Sequence, residues 1–392
     1  MARNIAVGID IGTYQIKVVV AEYGNNGERN APRILGTGFS ESKGIRHGYI
    51  INSHDATRSI KLAIAQAESS SGIQIKRAYL GIGGVSVETT TATGKVIISR
   101  GDSEVTELDL DNALSDSERN IPGSLSVNRR ILHTIPISYV IDGHEVLGHP
   151  IGMKGTKLEI NTLFITCLEQ HLDDLIQAVE SAGIDVEDVM ASPLAASLVV
   201  LNKAQKMAGC VLANIGAATV SIAIFENNIP IGLKIFPIGS TDITNDIALG
   251  LRIPLEEAEQ VKLGSLGTGA IPRKKLEEII VARLSDIFEL IEAHLKKIGR
   301  NGLLPAGIIL TGGGSGITTI EDLAKASLRL PSKIGELHVA TSAKGHIIDS
   351  TWSVAYGLCI WGFTGGDAAS ITGNTFGKAK TNLMTWIKQF LP

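Results

Sequence analysis

Cysteine is scarce in this sequence, and the few cysteines lie far apart. Cys167, Cys210 and Cys359 are the only three in 392 residues; each sits in an apolar stretch and none forms a C-x-x-C pair. That excludes a disulfide framework and reads as buried thiols in a reducing compartment. No long Lys/Arg run occurs and the net charge is −4, which argues against a nucleic-acid partner. Histidines are scattered: His144 and His149 share a Gly/Pro-containing turn with no Cys or carboxylate cluster, so they read as a solvated loop rather than a metal centre. No run of roughly 18 apolar residues is available to span a bilayer. The N-terminal apolar stretch is broken at Asp10 and Gly12 and has no small-residue cleavage pattern, so it is not a signal peptide. If this chain meets a membrane, it does so at the surface.

What is present is a large apolar fraction, 44%, enough for a sizeable core, in a chain longer than one ordinary domain. Ile5 to Thr13 reads as a buried strand entering a glycine turn, and Ile16 to Ala21 as the strand leaving it. Ser53–Ser71 has helical spacing. From Val85 to Thr166 the texture changes to β-rich pieces (85–91, 94–99 and 130–141) around an acidic helix near Thr106–Ser117, the pattern of an inserted α+β subdomain. Alternation then resumes: a helix to Ala182, a strand to Met190, a helix to Lys203 and a strand over Cys210–Asn214. A long helix follows over Pro272–Ile298, then a strand over Gly307–Leu310 and the turn Thr311-Gly312-Gly313-Gly314-Ser315.

Inside this order lies an internal echo. Asp10-Ile11-Gly12-Thr13-Tyr14-Gln15-Ile16-Lys17-Val18 aligns with Asn214-Ile215-Gly216-Ala217-Ala218-Thr219-Val220-Ser221-Ile222. Two such hairpins half a chain apart predict two similar lobes, each offering a glycine turn to the cleft between them. Closely spaced backbone N–H groups on such turns suit a phosphate chain. Asp10, at the end of its strand, suits a Mg²⁺ held through water. Gly312–Gly314 lets backbone approach a base or ribose closely, and Glu259 and Lys262, one helical turn apart, suit ribose hydroxyls. Each signal alone is weak: a glycine turn is usually a tight hairpin, and a Glu/Lys pair usually a solvated salt bridge. Their order is more specific than any of them.

The GIDIGT start, the second IGxxT hairpin and the LTGGG turn resemble the actin-like ATPase superfamily. Within it, Ser42-Lys43-Gly44-Ile45-Arg46-His47-Gly48, Ile131-Leu132-His133-Thr134-Ile135-Pro136 and the stretch from Asp142 to Gly155 resemble the FtsA family of bacterial cell-division proteins over nearly the whole chain. The resemblance implies an α/β, actin-like two-lobed fold with duplicated ribonuclease-H-like domains and an inserted subdomain in lobe 1. On that reading residues 1–84 and 167–204 make lobe 1 and 85–166 the insertion. Residues 205–363 make lobe 2, with a small subdomain at about 240–304. It implies ATP and Mg²⁺ held by Gly12, Thr13, Tyr14 and Gln15, by Gly216, Ala217, Ala218 and Thr219, and by Gly239, Ser240, Glu259, Lys262, Gly312, Gly313, Gly314 and Ser315 around Asp10. It also implies self-polymerisation, an FtsZ contact near Arg273, Lys274, Lys275 and Arg283, later division proteins on the insertion, and a peripheral site on the cytoplasmic face of the inner membrane.

Departures from the superfamily pattern bear on turnover. The second phosphate loop commonly reads Asp-Ile-Gly-Gly-Gly-Thr; here an amide replaces the carboxylate and Ala217 and Ala218 replace two glycines. Where chaperone-type and MreB-type relatives place an acidic residue before a Pro, this chain has Ser192-Pro193, and a serine without a base does not activate water at neutral pH. Binding without brisk hydrolysis is the expectation. A PilM-type pilus adaptor shares the start and a similar insertion; a sugar kinase would need a cleft carboxylate that does not stand out.

The end is distinct. Gly365–Gly377 is a Gly/Ser/Thr/Asn-rich linker. In 378–392 a helical wheel gathers Leu383, Trp386, Ile387, Phe390 and Leu391 on one side. Lys388 lies opposite and Lys380 near the apolar edge. No acidic residue follows Asp367. This is the pattern of an interfacial helix for anionic lipid.

Overall fold

The computed structural model describes residues 4–23, 32–264, 272–337 and 349–364. The linker and the amphipathic segment lie outside the described residues.

The chain opens with β1 (Asn4–Ile11), β2 (Gln15–Tyr23), β3 (Arg33–Glu41), the short β4 (Ile45–Arg46) and β5 (Tyr49–Ile50), helix α1 (Ser53–Ser71) and β6 (Arg77–Ile82). The insertion supplies β7 (Glu88–Ile97), α2 (Glu107–Arg119), β8 (Arg129–Ile141), β9 (His144–Val146) and β10 (Lys157–Leu168). After it come α3 (Glu169–Ser181), β11 (Asp185–Ala191), α4 (Ser192–Val200), α5 (Lys203–Ala208), β12 (Cys210–Ile215), β13 (Val220–Glu226) and β14 (Ile229–Phe236). The second half continues with α6 (Ser240–Leu251), α7 (Leu255–Lys262), α8 (Arg273–Lys297), β15 (Gly307–Thr311), α9 (Ile320–Leu328), β16 (Ser332–Ile334) and α10 (Ser353–Thr364).

The echo in the sequence is an echo in topology. One sheet has the order β11-β6-β1-β2-β3 and the other β16-β15-β12-β13-β14. In both, the first three strands in chain order form an antiparallel meander, and the next two add in parallel beside the first. Parallel pairing buries both faces of the central strands. That is why β1, β12 and β15 read as continuous apolar runs rather than alternating ones. This duplicated ribonuclease-H-like arrangement is the actin-like fold.

Local signals account for the helices. Asn52 caps α1 through Asp55 N–H at 3.2 Å, and Gly72, at φ +69°, ends it in the left-handed conformation. Thr106 and Asp109 form the capping box that starts α2. The expected helix running to Lys203 is instead two, because Asn202 caps α5 through Gln205 and breaks the chain after Val200. In the insertion, the expected separate pieces 85–91 and 94–99 fuse into β7, which pairs along β10, a strand outside the expected pieces. Four strands in the order β7-β10-β8-β9 carry α2 over a small core of Val105, Leu110, Ala113, Leu158 and Ile160.

One boundary differs from the expected 205–363. The last helix, α10, leaves the second lobe and packs on β1, β2 and β6 of the first. Tyr356 Oη donates to Pro32 O at 3.0 Å, and Val354, Ala355, Leu358 and Cys359 join the first lobe's core. In return α4 packs against β12 and β13. The two helices cross between the lobes and form the joint beneath the cleft.

The insertion is bolted to this joint. His133 on β8 is buried and accepts a 3.1 Å bond from Ala191 N–H at the end of β11. Burial pushes its pKa down to about 4, from an ordinary value of 6.5. The unfolded chain therefore takes up this proton first as pH falls, and stability is lost between pH 6.5 and 4, by about 2 kcal/mol at pH 5. In thermal denaturation, His133→Gln is expected to lose less melting temperature than wild type between pH 7 and 5. Equal losses would contradict a buried neutral imidazole.

Candidate nucleotide cleft

Register puts Ile11 opposite Ile16 and Ile215 opposite Val220, so residues 12–15 and 216–219 form matching loops. A Cβ on Gly12 would lie 2.7 Å from Gln15 O, and one on Gly216 2.9 Å from Thr219 O; the same steric demand fixes glycine in both. The loops face each other across a cleft of about 910 Å³.

At its floor, Asp10 pairs across the hairpin with Lys17. Burial pushes the Asp10 carboxyl up to about 6, against the pull of Lys17, while burial lowers the Lys17 ammonium against the pull of Asp10 and Asp349. In the second lobe the equivalent positions are Asn214 and Ser221, so the floor's charge is one-sided. The donor chemistry suits a hydrated Mg²⁺ shared with phosphates: Asp10 supplies one carboxylate, and no cluster of three metal-ligating side chains occurs among the described residues.

Of the expected residues, Gly12, Thr13, Tyr14, Gln15, Gly216, Ala217, Thr219, Ser240, Glu259, Lys262, Gly312, Gly313 and Gly314 line the cleft with Asp10. Three do other work. Gly239 seats α6 on the second loop: its own N–H donates to Asp242 at 2.8 Å, and Ser240 and Thr241 N–H donate to Gly216 O and Ala217 O, each at 2.9 Å. Ser315 is buried and donates to Gly312 O at 2.7 Å, closing the glycine turn from behind. The backbone of Ala218 is clasped by the other lobe, its N–H donating to Thr13 Oγ1 at 3.3 Å and its O accepting from His47 at 3.1 Å. Gly216 N–H is also engaged, by Thr219 O at 2.9 Å.

The far wall is a closed polar triad. Lys262 Nζ lies 2.7 Å from Glu259 Oε2 and donates to Thr244 Oγ1 at 2.9 Å, and Thr244 donates to Glu259 at 2.5 Å. Leu255, Leu276 and Ile280 add an apolar slot beside it. Ser192 lines the opposite side. Sequence reasoning missed Lys17, Thr241, Thr244 and Asn245. Lys17 alone carried a signal, a charge in the middle of an apolar strand.

Outside the cleft, Arg273, Lys274 and Lys275 are exposed at the start of α8. Arg283 is engaged within the molecule: its guanidinium is bidentate to Asp246 at 2.6 and 3.0 Å, tying α8 to α6. Among the described residues no helix is long and apolar enough to cross a membrane. Leu383, Trp386, Ile387, Phe390, Leu391, Lys380 and Lys388 lie outside them.

The family model described as "Cell division protein FtsA" matches residues 211–357, and that described as "SHS2 domain inserted in FTSA" matches residues 84–166, the insertion. The cell division protein FtsA of Borreliella burgdorferi is 32% identical over 92% of this chain and 91% of its own length. This chain belongs to the FtsA family. The FtsA of Pseudomonas aeruginosa is 29% identical over 95% of this chain and 93% of its own. Among solved structures, the PilM–PilN type IV pilus biogenesis complex superposes with a TM-score of 0.66 at 16% identity, covering 91% of this chain and 98% of that one. MreB5 of Spiroplasma citri bound to ADP does so at 0.53 and 15%, covering 92% and 97%. Those likenesses establish the actin-like fold, whereas sequence places the chain with FtsA, a cell division protein, rather than with pilus adaptors.

Proposed function

We propose that this FtsA-family chain binds Mg·ATP between its lobes, polymerises, and tethers FtsZ filaments to the cytoplasmic face of the bacterial membrane at the division site. The observation that carries the reading is the pair of matching glycine loops facing each other over Lys17 and Asp10. Solved MreB5 structures of this fold are described as bound to ADP and to AMPPNP, which supports the same ligand class here.

On this reading the loop at 12–15 and the loop at 216–219 approach the phosphates from opposite lobes, and Lys17 supplies the positive charge that the floor otherwise lacks. Asp10 holds Mg²⁺ through water; the ion neutralises phosphate charge when bound. Ribose hydroxyls exchange into the Glu259–Lys262–Thr244 triad, and the base lies between Gly312–Gly314 and the slot of Leu255, Leu276 and Ile280. Ligand contacts to both lobes favour the closed shape, and head-to-tail contacts between closed subunits extend without limit. FtsZ docks by the cationic start of α8, at Arg273–Lys275, later division proteins on the inserted subdomain, and the 378–392 segment on anionic lipid.

Turnover is slow. Position 192 carries a hydroxyl with no carboxylate at that place to activate water, and Asn214 leaves the second lobe without a charged partner for the metal. Titration calorimetry is expected to detect Mg·ATP binding while steady-state phosphate release stays near background. Brisk release that vanishes on Asp10→Ala would refute slow turnover, and absence of any nucleotide binding would refute the cleft assignment.

A further inference from the structure

We infer that His47 is the contact through which the state of the nucleotide cleft is passed to the root of the inserted subdomain, an inference that rests on the nucleotide reading above. His47 sits on the 42–48 loop of the first lobe at φ +49°. A carbonyl only accepts, so its Nδ1–H donates to Ala218 O in the opposite lobe, at 3.1 Å. Thr13 Oγ1 holds the N–H of the same residue at 3.3 Å. One residue of the second loop is thus gripped by the first lobe through both of its backbone polar groups, and the lobes cannot part without releasing it.

From His47 the contact runs on through a buried chain. The next carbonyl, Gly48 O, accepts from His171 Nε2–H at 2.7 Å. Burial holds that imidazole neutral, so its Nδ1 accepts from Ser86 Oγ. Ser86 stands where the chain enters the insertion. Its carbonyl accepts from Arg129 Nη2 at 2.5 Å, and Arg129 Nε donates to Thr166 Oγ1 at 2.9 Å, where β10 leads the chain out. Arg129 Nη1 lies 3.5 Å from Glu88. One arginine therefore locks both crossings of the insertion, and His171 ties that lock to the loop that carries His47. On the insertion's other side, Thr89 Oγ1 donates to Leu233 O of the second lobe at 3.0 Å, so lobe movement strains the root at two points. The links to Ala218 O, Gly48 O and Ser86 Oγ are directional hydrogen bonds, and Arg129 gathers the last of them into several bonds at the root, which suits a two-position device. A nucleotide that fixes the 216–219 loop fixes Ala218 O and, through His47, the root of the surface on which later division proteins are proposed to assemble.

Hydrogen exchange with and without Mg·AMPPNP, paired with stopped-flow release of a fluorescent ATP analogue, tests this in the full chain. Wild type is expected to gain protection at 84–91 and 129–133 on binding. His47→Ala should still bind, release the analogue about tenfold faster and lose that protection gain, while His47→Gln, whose amide reaches the same carbonyl, should restore both. Ser86→Ala, which cuts the far end, should keep wild-type release but lose the gain. A full protection gain in His47→Ala or in Ser86→Ala overturns the coupling and leaves nucleotide binding standing. No binding by wild type overturns both.

Discussion

Replacing Lys17 by methionine is expected to weaken Mg·ATP binding by about 50-fold, since a charge-assisted bond to phosphate contributes roughly 2–3 kcal/mol. Lys17 lines the cleft from the strand position opposite Asp10, and its Nζ lies over the Trp352 ring, 5.9 Å from the centroid. Burial already makes its charged state costly, and the carboxylates of Asp10 and Asp349 offset that cost. On the proposed reading an incoming triphosphate would complete the compensation. Methionine keeps the length and the apolar stem but removes the charge. It also removes the Lys17 charge that lowers the Asp10 pKa, driving it further above about 6 and discharging the proposed Mg²⁺ ligand near neutral pH. Calorimetry of the two proteins at pH 7.5 decides it. An unchanged affinity would remove Lys17 from the phosphate site.

Deleting residues 378–392, or changing Trp386 and Phe390 together to glutamate, is expected to abolish co-sedimentation with anionic liposomes while leaving Mg·ATP affinity unchanged. Each aromatic side chain taken from water into lipid contributes about 1.5–3 kcal/mol, and the segment's cationic balance adds attraction to anionic headgroups. Introducing two carboxylates on the apolar face reverses both terms. A short apolar segment alone would bind marginally, so on the proposed reading stable attachment is expected to need many copies joined in a polymer. The truncated chain sedimenting like the full one would mean that another surface holds the membrane.

How much of this could be read beforehand depends on whether the signal is local. The two hairpins were legible because a tight turn after a buried strand leaves little choice of residue, and the same steric demand at Gly12 and Gly216 wrote the same pattern twice. The long periodicity of α8 gave that helix to within a residue at each end. What failed was non-local. β10 alternates at its start, with Leu158 and Ile160 buried between Lys157, Glu159 and Asn161, and then runs continuously buried, because β7 and β8 pair on either side of it. α10 is apolar all round, which states that it is buried and not in which lobe. Within the site, Gly239, Ala218 and Ser315 sat in the expected loops, yet their polar groups were already committed to Asp242, to Thr13 and His47, and to Gly312. A sequence shows which residues share a loop. It does not show which of their hydrogen bonds are already taken. Arg283 is of the same kind, a surface cation in the sequence that the fold draws into a bidentate pair with Asp246. Lys17 was visible as a charge in an apolar strand, but its neighbour Asp10 was not evident until register set the two opposite each other.

Electron microscopy of the full chain on anionic lipid monolayers, with Mg·ATP, with ADP and without nucleotide, tests the central claim most directly. Filaments that lie on the lipid only with Mg·ATP are expected, recruiting added FtsZ, with recruitment lost when Arg273, Lys274 and Lys275 are changed to glutamate. Filaments of equal abundance without nucleotide, or Mg·ATP-bound protein that stays monomeric on the lipid, would contradict a nucleotide-closed, membrane-borne polymer.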